Sequence, residues 1–354
     1  MIQQIDLTIN VTDAARLGEP AQVAVTVTLP DPADLPPRPI IVFAKAGGGY
    51  SKGYFTHALP GPGEPIAQAD WHAARGWITV SVDSLGIGGS SIHGMEKLGY
   101  AQVTAANHAA EQEILLKLAN GLIAAGFPTI HEPVTIGIGH SMGGALTIVQ
   151  QGRYHGYDGI GVLGFSAVHS HPAVPPGEAP VVVPWTPRDS IGHTPFAIIN
   201  EAAVAAGLAD GGSGALWRAL AWGFHYDDVP HEVVSQDLAH FSRMAPGGDA
   251  GEAAPLAPWS SATDPGAIGQ TILTPGVVAP EAAAVRVPVL CAMGERDFVI
   301  DPPGEARAFK SATSVDLFIC PRMAHIHNFA STRALLWQRI DQFAAWCAVV
   351  KAAG

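Results

Sequence analysis

The chain has 354 residues, with 19 Lys and Arg against 31 Asp and Glu, a net charge of −12. Only 14% of it is charged, against roughly 25% in an average globular protein, and no basic cluster occurs, which excludes nucleic acid and anionic membrane surfaces as main partners. Hydrophobic residues at 48% supply a core, no heptad pattern suggests a coiled coil, and no apolar run reaches the roughly 18 residues of a membrane span.

Residues 5–11 (IDLTINV) and 22–29 (QVAVTVTL) alternate apolar and polar side chains, the period of antiparallel strands with one wet face. A proline-rich stretch ends the pair. Residues 39–44 (PIIVFA) form a continuous apolar run, as in a strand buried on both faces. A glycine cluster follows, then a helical stretch near 65–75 and a second buried strand at 77–82 (WITVSV). Residues 100–125 read as a helix with Leu115, Leu118, Leu122 and Ala125 on one stripe. Residues 134–139 (VTIGIG) predict a strand, 142–151 a helix and 160–165 another strand. Buried strands resume at 287–293 (VPVLCAM) and 315–319 (VDLFI), before a last helix over 331–350.

Buried strands alternating with helices predict an α/β fold, a mostly parallel central sheet flanked by helices. The alternation breaks over 167–286, which is rich in proline, glycine and tryptophan. It carries helical patches at 196–208, 215–224 and 231–242 but no buried strand. The chain thus divides into a core, 1–166, a largely helical or irregular insertion over the sheet, 167–286, and the rest of the core, 287–354. Cys291, Cys320 and Cys347 read as buried reduced thiols. With no secretory signal at the start, they point to a cytoplasmic protein.

Gly139, Ser141 and Gly143 form G-x-S-x-G between a predicted strand and a predicted helix. A serine there sits on a sharp turn, and the flanking glycines let strand and helix approach. The helix N-terminus then favours negative charge at the reacting atom. Ester cleavage also needs two N–H donors for the developing oxyanion. Met142, just after the serine, supplies one; Gly48 or Gly49, in the glycine-rich loop after the 39–44 strand, supplies the other. Asp297 follows the 287–293 strand, where a carboxylate points into the ligand crevice, with Glu295 as the fallback. Glu295 is otherwise solvated or paired with Arg296. His325 follows the 315–319 strand as general base, with His327 as the rival. A neutral imidazole must take the Ser141 proton, and a carboxylate must hold its tautomer.

The order Ser141, Asp297, His325, with the elbow and the glycine loop, resembles the α/β-hydrolase superfamily, serine esterases and lipases in particular. Asp83, Gly86, Gly88 and Ser90 resemble its D-x-x-G-x-G-x-S segment beside the active site. One departure is Ala46, where many relatives place a histidine before the oxyanion glycine. The resemblance implies that 167–286 is a lid, which sets substrate choice.

The expected function is hydrolysis of a carboxylic ester of a small, mostly apolar substrate through an acyl-enzyme, without cofactor or metal. The same triad could serve a C–C bond hydrolase or an acyltransferase or perhydrolase. A silent hydrolase-fold binding protein would be expected to lack one of the three residues. His169 and His171 lack further ligands at metal spacing and read as polar lid residues. Asp227 and Asp228, beside His225 and His231, read as a solvated patch. Trp217, Trp222, Phe224, Tyr226, Phe241 and Trp259 divide between core and pocket. The sequence carries no signal for oligomeric state.

Overall fold

Apolar strand runs separated by helices assemble into one sheet in the computed structural model, which describes residues 1–62, 65–178, 186–188, 221–239 and 255–353. Its strands are β1 (Gln3–Asn10), β2 (Gln22–Leu29), β3 (Ile40–Lys45), β4 (Ile78–Val82), β5 (Val134–His140), β6 (Gly159–Leu163), β7 (Val289–Arg296) and β8 (Val315–Ala324). Their order is β1-β2-β4-β3-β5-β6-β7-β8. The β1–β2 and β2–β4 pairs are antiparallel. From β4 onward every pair is parallel. The helices are α1 (Gln68–Ala73), α2 (Tyr100–Ala119), α3 (Met142–Tyr154), α4 (His231–Leu238), α5 (Gly266–Thr271), α6 (Ala279–Ala284) and α7 (Arg333–Ala353), besides single-turn pieces.

The strand period of two builds two cores. Ile41 and Phe43 of β3 join Val103, Ala106 and Ala110 of α2 and Leu146 of α3 on one face. Val42 and Ala44 join Leu336, Ile340 and Phe343 of α7 on the other. Strand order reverses at β3, since β4 lies on one side of it and β5 on the other. The loops after β3 and β5 therefore open a crevice at their carboxyl ends, where such sheets take ligands.

Three expectations need correction. The 315–319 strand is not buried: β8 is an edge of the sheet, and Leu317 and Ile319 are 42% and 44% exposed. β2 has no wet face: apart from Gln22 it is buried throughout. It lies between β1 and β4, and Lys52 reaches over it to donate to the Thr26 hydroxyl at 2.5 Å. The wet strand is the edge, β1. Helix α2 ends at Ala119, because Asn120 leaves helical geometry and Gly121 takes φ +67°. Leu122 is thus 70% exposed and Ala125 exposed; the buried stripe is Val103, Ala106, Ala110, Ile114 and Leu118. Within the insertion, the 231–242 patch is helical over His231–Leu238, and 221–224 is helical. The 196–208 patch, most of 215–224, and Trp217 and Phe241 lie outside the described residues.

The described parts of the chain between β6 and β7 add no strand to the sheet. They dock at the crevice instead. Ser51 donates its N–H to Trp259 O at 2.8 Å, and His325 donates its own to Gly223 O at 3.0 Å. One buried carboxylate anchors them: Asp237 of α4 accepts from Tyr50 Oη at 2.6 Å and Trp259 Nε1 at 2.8 Å, and pairs with His225 Nε2 at 2.9 Å. His225 is therefore buried and not part of a solvated patch.

A buried ion pair underlies the β3 end. Lys45 Nζ lies 2.6 Å from Glu111 Oε1 and donates to Tyr157 Oη at 2.8 Å, with both charged side chains almost fully buried. Lys45→Met leaves Glu111 charged and unpaired, which is expected to cost about 3–5 kcal/mol of stability. Urea unfolding checks this, and the Lys45→Met/Glu111→Leu double variant should regain most of the loss. An undiminished midpoint for the single variant would contradict it.

Candidate active site

Ser141 stands between β5 and α3 at φ 52° and ψ −119°, a region that L side chains enter only under strain. Its surroundings impose that geometry. The Ser141 amide donates to Leu163 O at 2.7 Å, while its carbonyl accepts from Gly144 N at 2.8 Å. The turn is so tight that a Cβ on Gly139 would lie 2.0 Å from Gly143 O, and one on Gly143 would lie 2.2 Å from Lys45 O. Both flanking glycines of the motif are thus sterically required.

The Ser141 hydroxyl lies 3.0 Å from His325 Nε2. His325 Nδ1 lies 2.6 Å from Asp297 Oδ1. Asp297 is held on every side: Gly294 N donates at 2.8 Å, Phe298 N at 2.7 Å and His327 Nε2 at 2.7 Å. Burial alone would raise its carboxyl, but the charges and hydrogen bonds of His325 and His327 outweigh that and hold it well below the usual carboxylate range. His327 thus meets the second oxygen of Asp297, while His325 is the imidazole that reaches Ser141. A β7 irregularity between Gly294 and Arg296, paired with an extended β8, carries Asp297 and His325 to the same end of the sheet.

The His325 ring is packed as well as bonded. Phe298 stacks on it with centroids 4.1 Å apart and planes at 15°. His140, the residue before the serine, donates from Nε2 to His325 O at 2.6 Å. Burial holds its imidazole well below the usual histidine range, so it is a neutral donor. Glu295 lies elsewhere: it accepts from Tyr226 Oη and from Arg322 N at 2.9 Å. Glu295 is exposed, the solvated one of its two expected states, and Arg296 pairs instead with Asp227 at 2.9 Å.

A cavity of about 200 Å³ opens against Ser141, lined by Gly48, Met142, Phe224, Asp264 and Phe298 among others. The loop after β3 borders it, and a Cβ on Gly47 would touch Ser141 Cβ at 3.0 Å. Gly49 is not a free donor, because its N–H is taken by both Asp264 carboxylate oxygens at 3.0 Å. Gly48 lines the cavity beside Met142. Of the insertion aromatics, Phe224 faces the cavity, while Trp259 is buried against Phe329, with centroids 5.6 Å apart. Trp222 and Tyr226 lie over the Arg296 guanidinium.

Sequence reasoning did not single out His140, Asp237 or Asp264. His140 was within the motif, but its partner, a backbone carbonyl 185 residues away, leaves no sequence signal. Asp237 sits in the predicted 231–242 helical patch and Asp264 in irregular sequence, and neither belongs to a motif.

No protein-family model and no curated protein matches this sequence. Solved structures do. A peroxisomal α/β-hydrolase of Saccharomyces cerevisiae superposes with TM-score 0.51 at 14% identity, over 99% of this chain and 90% of that one. A thermophilic esterase from Thermogutta terrifontis gives 0.53 at 12% identity, over 96% and 99%. A haloalkane dehalogenase variant from Bradyrhizobium elkanii gives 0.54 at 13% identity, over 100% and 98%. The sheet order and these superpositions show the α/β-hydrolase fold. A fold that carries such different reactions leaves the chemistry to be argued from the site.

Proposed function

We infer that this chain, with its α/β-hydrolase fold, is a serine hydrolase that cleaves a carboxylic ester of a small, mostly apolar substrate. The observation that carries the reading is the unbroken hydrogen-bonded line from Ser141 through His325 to Asp297. Ser141 Oγ attacks the ester carbonyl carbon as its proton passes to His325 Nε2. The C=O electron pair moves onto oxygen, which the N–H groups of Met142 and Gly48 receive. Asp297 keeps Nδ1 protonated and stabilises the imidazolium. The tetrahedral intermediate collapses, the C–O bond breaks, and His325 gives its proton to the leaving alkoxide. Water then attacks the acyl-enzyme with His325 again as base, releasing the acid and restoring Ser141.

A serine at 141 favours this route over one through an alkyl-enzyme, which needs a carboxylate nucleophile. The 167–286 insertion acts as the lid in this reading, with Phe224 and Phe298 giving the cavity its apolar wall. No described helix is long and apolar enough to cross a membrane.

A fluorophosphonate probe tests the assignment without a known substrate. The wild-type protein is expected to be labelled at Ser141, located by peptide mass spectrometry, and Ser141→Ala to remain unlabelled. A folded wild-type protein that resists labelling would rule the reading out.

A further inference from the structure

Beside the reacting serine, the cavity holds one carboxylate that the hydrolytic steps do not use. Asp264 lies on the insertion, mostly buried, and lines the same cavity as Ser141. Its one hydrogen-bond donor among the described residues is Gly49 N. No cation accompanies it among the described residues: Lys52 Nζ is committed to Asp6 at 2.7 Å, and Lys45 to Glu111 at 2.6 Å. The other titratable groups on adjoining elements are also engaged. Asp83 accepts from Lys52 N and Gly89 N, Tyr50 donates to Asp237, and His140 and His325 bond as above. Buried charges are normally paired, and a carboxylate with a single neutral donor is far from satisfied.

The segment is held rigidly. Thr263 Oγ1 donates to Gly86 O at 2.8 Å, and Gly88 N to Ser261 Oγ at 3.1 Å. These bonds tie the backbone before Asp264 to the turn after β4. A carboxylate with no cation beside it among the described residues, in a cavity with apolar walls, is a built counter-charge.

We propose that Asp264 is a specificity-determining residue that pairs with an ammonium group on the substrate, so that the preferred ester has an apolar body and one cationic amine. This rests on the ester-hydrolase reading and narrows its substrate class. Burial pushes the Asp264 carboxyl up to about 6, against the pull of the Gly49 N–H, so it is ionised at neutral and higher pH and can pair there. The net charge of −12 further favours approach of a cation.

The test uses two pairs of near-isosteric esters on the full chain. On the acyl side these are p-nitrophenyl 3-aminopropanoate and p-nitrophenyl butanoate. On the alcohol side they are 2-(trimethylammonio)ethyl butanoate and 3,3-dimethylbutyl butanoate. Each kcat/KM is normalised to hydroxide-catalysed hydrolysis. At pH 8 one pair is expected to favour the cationic member by at least about tenfold, a modest fraction of what a close ion pair can supply. Asp264→Asn, which keeps an oxygen for Gly49 N–H, should bring that ratio towards one. Should that variant fold poorly, the wild-type pH series decides. The ratio should fall as pH drops through about 6, because titration of the reacting groups affects both esters and cancels. No cationic preference in either pair, a preference that survives Asp264→Asn, or a pH-independent ratio would overturn the proposal. Failure to hydrolyse any of the four would instead count against the ester reading and remove the proposal with it.

Discussion

Ser141→Ala is expected to lower kcat on the best ester by on the order of 10⁵- to 10⁶-fold, as removal of an activated serine does in comparable sites. The hydroxyl lies 3.0 Å from His325 Nε2, and the proposed acyl-enzyme cannot form without it. Residual turnover would come from the oxyanion N–H groups acting on bound substrate and water. A companion variant separates lost chemistry from lost folding. The φ of 52° and ψ of −119° at Ser141 mirror an ordinary extended conformation, which glycine adopts freely and serine does not. Ser141→Gly should therefore be equally inactive yet more stable, by about 1 kcal/mol. A raised melting temperature with lost turnover is the expected pair of results. Wild-type hydrolysis by Ser141→Ala would end the assignment.

Asp297→Asn is expected to reduce kcat by about 10⁴-fold while leaving substrate binding little changed. An amide turned with its NH₂ towards His325 Nδ1 selects the tautomer whose Nε2 carries the proton, and that nitrogen cannot accept from Ser141. An amide turned the other way meets His327 and Gly294, which both donate to the same carboxylate oxygen in the native site. Neither orientation satisfies every donor, so a lower melting temperature should accompany the kinetic loss. His327→Ala keeps the line from Ser141 to Asp297 and is expected to cost less than the Asp297 change. An order of effects in which His327 outweighs Asp297 would reverse the assigned roles. Since the Asp297 carboxyl is held well below the usual carboxylate range, it stays ionised throughout the assay range and adds no step to the pH–rate profile.

Features that follow from local chemistry were readable in the chain. Ser141 lies in a strand–turn–helix whose glycines are demanded by contacts within a few residues and with the neighbouring strand. Asp297 and His325 each follow a predicted strand, and parallel strands deliver their carboxyl ends to one edge. The arrest of α2 at Asn120-Gly121 shows the limit of the same reasoning. Helical spacing located the element, but its stripe was extended too far because Leu122 and Ala125 continue the spacing after the helix has ended. The wet face expected for β2 failed for a different reason: Lys52 and the turn after β4 cover it, and neither belongs to the strand.

By itself the sequence determined which segments form strands and helices, and hence the α/β class, and it picked out Ser141, Asp297 and His325, whose side chains meet at one end of the sheet. Only the tertiary structure decided among near-equivalent neighbours. His325 rather than His327 reaches Ser141 because the end of β8 turns one imidazole to each oxygen of Asp297. The Gly49 N–H is taken because Asp264, 215 residues away, accepts it. That Gly49 N is the one donor to Asp264 among the described residues is likewise invisible in one dimension. Whether a carboxylate is solvated, paired or left waiting depends on what the rest of the chain brings beside it, and long-range packing alone sets that.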